Sequence, residues 1–200
     1  MMKTSVRALL FLTGLLAAYQ IAIGVEGRTA GAATIYTIGF GTLLVAGVLL
    51  IFLGFEILGS PWVVIVSTLI PISLALGLIW ELLPALRTGY LAFALVGMAA
   101  VILTRAFNLP GKPATIVLAI VHGIAGLTIF LLPVVRSIQG MVPPGFALVG
   151  LGGALISLGG LLLSFLKAGT PLLSGETILK LLPALLLLMM AAFVAGFAFA

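Results

Sequence analysis

The chain has 200 residues, 64% hydrophobic and 6% charged, with nine Lys/Arg against four acids and a formal net charge of +5. An average soluble domain is about 45–50% apolar and about 25% charged, so a water-soluble monomer and a disordered chain are both excluded, leaving an integral membrane protein. Cysteine is absent, which removes disulfides, thiolate metal sites, iron–sulfur clusters and Cys nucleophiles; the cations are scattered singly, which disfavours nucleic-acid binding.

About 20 apolar residues cross a hydrocarbon core of about 30 Å. Apolar runs between charges and turn residues predict seven spans, at 6–24, 34–56, 62–83, 89–107, 114–135, 145–166 and 179–200. The breaks carry helix-stop and turn residues: Gly59-Ser60-Pro61, Pro84 to Arg87, Asn108 to Pro113, Pro143-Pro144-Gly145. Barrel strands would alternate polar and apolar residues, whereas these runs are apolar throughout. The expected fold class is all-α: a polytopic integral membrane helical bundle forming one transmembrane domain.

Span one follows Lys3 and Arg7 and looks like a signal peptide. It is expected to be retained as a helix, because the apolar stretch is long and no small-residue cleavage pattern leads into a soluble domain. Span two contains Gly39-Phe40-Gly41 without a flanking strand, so this is not a dinucleotide-binding fingerprint. Span three is bracketed by Trp62 and Trp80, about 27 Å apart along a helix. Near its middle, Pro71 cannot donate to the Ser67 carbonyl and is expected to kink the helix. Ser67, Thr68 and Ser73 surround it as candidates to satisfy the freed groups. This stretch is either a structural kink or a break in a transport path.

Span four contains Phe93-Ala94-Leu95-Val96-Gly97, which recurs as Phe146-Ala147-Leu148-Val149-Gly150 at the start of span six. The recurrence suggests repeated helical hairpins, spans 4–5 and 6–7, loosely echoed by spans 1–2 around Gly14, against a background of low complexity. Span five carries His122, the only histidine, near its middle. An intramembrane polar side chain is a functional candidate by default. Among its helical neighbours Leu118, Ala119, Ala125 and Gly126, three are small. They leave room either for a close helix hydrogen-bonded by the imidazole, or for a flat cofactor whose metal takes a ring nitrogen. A proton role is the third alternative. Span six holds small residues at helical spacing: Gly150, Gly153, Ala154, Ser157 and Gly160. Such stripes let helix backbones approach closely, inside the bundle or against another subunit. Span seven runs from near Lys180 to Ala200, about 30 Å, enough to reach the far interface.

The side carrying the N-terminus, side A, collects Lys3, Arg7, Arg105, Lys112, Lys167 and Lys180; side B has Arg28, Arg87 and Arg136. The positive-inside rule then places the N-terminus in the cytoplasm and the C-terminus outside, in a membrane expected to be the plasma membrane. Trp62, Trp80, Tyr36, Tyr90 and Tyr19 are read as interfacial belt residues. The four glutamates, Glu26, Glu56, Glu81 and Glu176, lie near span ends or in loops, so no acid sits at mid-membrane to run a proton or cation relay.

No P-loop, nucleophile elbow, His-Glu-x-x-His or EF-hand motif is present, no metal site is indicated, and an enzyme is not expected. The leading expectation is a non-catalytic structural or accessory membrane protein packing with partner subunits or with itself, lipid-embedded and requiring no cofactor. One alternative is a transporter or channel for a small neutral or lipid-like solute, with Pro71 and His122 along a polar cavity. The other is a cofactor-binding membrane subunit with His122 as ligand.

Overall fold

A computed structural model describes residues 3–24, 29–107, 113–167 and 172–200. Seven helices in it are long and apolar enough to cross a membrane. They are α1 (Thr4–Ile23), α2 (Ala30–Leu53), α3 (Pro61–Leu82), α4 (Arg87–Ala106), α5 (Pro113–Ile138), α6 (Ala147–Lys167) and α7 (Gly175–Phe197). The predicted loops around Glu26, Arg28 and Lys112 lie outside the described residues.

Local chemistry sets the ends. Thr29 caps α2 by accepting from the Ala32 amide at 3.4 Å, and Ser174 caps α7 by accepting from Thr177 at 3.2 Å. The Thr29 cap starts α2 earlier than its apolar run suggests. Gly54 stops it at a φ of 74°, in the left-handed region that glycine enters freely. Short 3-10 turns, Pro84–Leu86 and Pro144–Phe146, lead into α4 and α6. Pro133 and Pro183 stand inside α5 and α7, so α5 runs past the end predicted for it.

Six helices close a ring: α1 packs on α2, α2 on α3, α3 on α5, α5 on α6, α6 on α7 and α7 on α1. Helix α4 stands outside, packed on α3 and α5. Facing pairs fix the directions. Gly14 meets Leu44 and Gly47 meets Leu10, Gly39 meets Leu74 and Gly31 meets Trp80, Gly126 meets Ser157 and Gly150 meets Phe130, Gly152 meets Phe193 and Gly159 meets Leu182, so within the ring sequence neighbours are antiparallel; on α4, Gly97 meets Val121 and Tyr90 meets Thr128 of α5, again antiparallel. One core fills the ring, with residues from all six of its helices, including Ala17, Phe40, Leu74, Ile129, Val149 and Phe193. A second, smaller cluster (Ile72, Leu76, Ala94, Val101, Val121) joins α4 to α3 and α5.

By contact order the ring divides into two units of three helices. The order α1–α2–α3 is matched by α5–α6–α7, and the parallel seam of α3 on α5 is matched by that of α7 on α1. Gly14 of α1 and Gly126 of α5 each face the next helix, as do Gly39 of α2 and Gly152 of α6. Pro71 and Pro183 correspond in the third helix of each unit. The pentapeptides that suggested repeated hairpins are placed differently: Phe93 lies inside α4, whereas Phe146 closes the 3-10 turn before α6.

Candidate functional site

Helix α3 continues through Pro71, which is buried with Thr68 and Ser73. The three nearby hydroxyls do not turn to the Ser67 carbonyl. Ser67 and Thr68 both donate to the Val64 carbonyl, at 3.1 and 2.7 Å, and Ser73 donates to Leu69 and Ile70. Such bonds back along the helix satisfy a hydroxyl that has no water to meet.

His122 is half-buried on α5. Its Nδ1 lies 3.1 Å from the Leu118 carbonyl one turn back on the same helix, rather than across to a neighbour. The small residues around it are divided: Ala119 is exposed, Ala125 is fully buried in the ring core, and Gly126 lies under Ser157. Among the described residues no group of His and acids is arranged to hold a metal ion.

The small residues of α6 fall on several sides. A Cβ at Gly150 would stand 2.6 Å from the Phe130 carbonyl oxygen, and one at Gly153 would stand 2.8 Å from the Ile129 and Phe130 backbone. Both glycines therefore lie directly against α5. Gly152 faces Phe193 of α7. Ala154 is half-buried, Ser157 is exposed above Gly126, and Gly160 has nothing within 4 Å of a Cβ placed there.

The largest polar assembly was not legible in the sequence. It gathers on side B around the end of α3. Tyr36, 1% exposed, donates its hydroxyl to Glu81 at 3.0 Å. The Trp80 ring lies against Gly31, where a Cβ would meet Nε1 at 3.2 Å. Arg87 covers the same ring, its guanidinium carbon 5.4 Å from the centroid, and donates Nε to the Trp80 carbonyl. Arg136, from the last turn of α5, donates Nη2 to the Leu82 carbonyl at 3.1 Å. Two guanidinium groups thus sit on the last carbonyls of α3, where helix polarity favours cations. No motif joins these residues, because they come from four helices.

This geometry corrects the aromatic belt. Trp62 and Tyr19 are exposed at 64% and 51%, but Tyr36 is a core residue. Trp80 is half-buried under Arg87, and Tyr90 packs toward α5, with its hydroxyl 3.4 Å from that of Thr128. On side A, a shallow cleft of about 410 Å³ lies between Arg7, Glu56 and residues 51–55. Gln20 of α1 is 2% exposed. Its amide donates to the Gly24 carbonyl at 2.8 Å, while its Oε1 has no partner.

No family model matches the sequence, and no curated protein or solved structure matches it either.

Proposed function

We propose that the chain is a non-catalytic structural or accessory subunit, a seven-helix bundle that packs beside partner subunits or further copies of itself in a larger membrane assembly. The observation that carries this reading is the filling of the ring. Phe40, Phe146, Phe193, Phe197, Met189 and Met190 are all at most 6% exposed. The rings of Phe40, Phe146 and Phe193 meet one another or Phe197 edge to face at 5.7 to 6.1 Å. A conduit needs polar groups turned inward, yet the buried hydroxyls of Thr13 and Thr68 in the ring helices donate to carbonyls of their own helices. The loop charges support a cytoplasmic N-terminus. Gentle extraction into lipid discs is expected to yield a protein mass per disc well above one 20.6 kDa chain, with the same companion chains in constant ratio. A lone monomer in every preparation would overturn the reading.

A second reading, transport of a small neutral or lipid-like solute, is favoured by the repeated three-helix unit with its corresponding prolines. Transporters built from parallel repeats hold their solute at the repeat interface near mid-membrane, and Pro71 and His122 would border such a site.

The cofactor alternative has a simple check. For a subunit without a cofactor, His122→Ala is expected to leave the visible absorption spectrum of the purified protein unchanged; Nδ1 lies against the Leu118 carbonyl, so Nε2 is the nitrogen a metal would take. Loss of an absorption band in that variant would establish His122 as a ligand.

A further inference from the structure

Among the described residues, Arg105 is a half-buried cation with a buried side-chain nitrogen that has no acceptor. It lies in the last turn of α4, eighteen residues from Arg87 at the other end, about 27 Å along the helix. The two arginines therefore mark the two edges of a hydrocarbon core of about 30 Å, and Arg105 stands at headgroup level on side A. Arg87 has a carbonyl and an indole ring. Arg105 has the Ala114 carbonyl alone, at a long 3.4 Å, and its buried Nε has no acceptor.

No carboxylate meets it among the described residues. Glu176 is paired with Lys180 at 2.7 Å, Glu56 is exposed beside Arg7, and Glu81 is on the opposite side with Tyr36. Next along the chain, Phe107 is 72% exposed and offers apolar surface to an acyl chain. A half-buried guanidinium at this depth, short of acceptors among the described residues, fits a phosphate, whose oxygens match its planar donor fork. The cation excess of side A favours a headgroup with net negative charge.

We propose that the side-A end of the α4–α5 pair binds the headgroup phosphate of an anionic phospholipid through Arg105. The test uses the full-length protein in detergent, titrated with phosphatidylglycerol, phosphatidylcholine or inorganic phosphate. Retained lipid is counted by native mass spectrometry and thermal stability is recorded in parallel. Phosphatidylglycerol is expected to stay bound and to raise the unfolding temperature, and phosphatidylcholine to do so less. Arg105→Gln is expected to weaken phosphatidylglycerol binding roughly tenfold or more, the loss of a hydrogen bond to a charged group. Arg105→Lys keeps the charge without the fork and is expected to fall between; it also serves if the Gln variant does not fold. Arg7→Gln, on another helix, is expected to bind as wild type. Undiminished binding by Arg105→Gln, equal binding of the two lipids, or a full stabilising effect from inorganic phosphate alone would each overturn the proposal.

Discussion

Gly153→Ala is expected to be among the most damaging single-methyl additions this chain can suffer. The new Cβ would lie 2.7 Å from the Ile129 side chain and 2.8 Å from backbone atoms of Ile129 and Phe130. A side chain can rotate away from such a contact, but a helix backbone cannot, so α5 and α6 must separate along their interface. Overpacking costs about 1–3 kcal/mol, and a backbone clash belongs at the upper end. Gly160→Ala is the matched control. With nothing within 4 Å of its Cβ, it is expected to change stability by less than about 0.5 kcal/mol. Reversible unfolding in mixed micelles measures both. If Gly160→Ala leaves the isolated bundle stable yet dissolves the larger assembly, the outer end of this stripe is where a neighbour docks.

Phe193→Ala is expected to cost as much and to separate the two functional readings. Phe193 is fully buried, presses on Gly152 and meets the Phe40 ring at 6.1 Å. In lipid the apolar transfer term largely vanishes, because the unfolded helix is already in hydrocarbon. The lost packing remains, and a void of roughly 100 Å³ at about 24 cal/mol per Å³ comes to about 2–3 kcal/mol. Proteoliposomes supply the second readout. A filled scaffold is expected to stay impermeable to small neutral solutes, since one void does not join two faces. Faster solute entry in Phe193→Ala vesicles than in wild-type vesicles would instead favour the transport reading.

The sequence exposed the spans and concealed their neighbours, and the solvent explains both. In water a polar stripe marks the outside of a helix and so reveals its inner face. Here both faces of each helix are apolar, so Leu10 at 0% exposure and Phe11 at 62% look alike in the sequence. Length and turn residues therefore located seven helices, while nothing announced that α3 bypasses α4 to meet α5. Tyr36 was misjudged for the same reason: tyrosine near a span end suits an interface, and only the three-dimensional position of Glu81 turns it inward. The small residues of α6 could be seen as a stripe, but its allocation between α5, α7 and open surface depends on helix rotation. His122 stood out as the sole histidine, whereas its partner was the nearest carbonyl on its own helix.

The helix outside the ring has a consequence for how such a chain can arise. A segment that crosses the bilayer three times finishes opposite to where it started, so a tandem copy joined end to end would be threaded upside down. One intervening crossing returns the chain to its starting side and lets the copy enter upright. Helix α4 supplies that crossing, which allows the two triplets to close face to face while contributing little to the barrel they form.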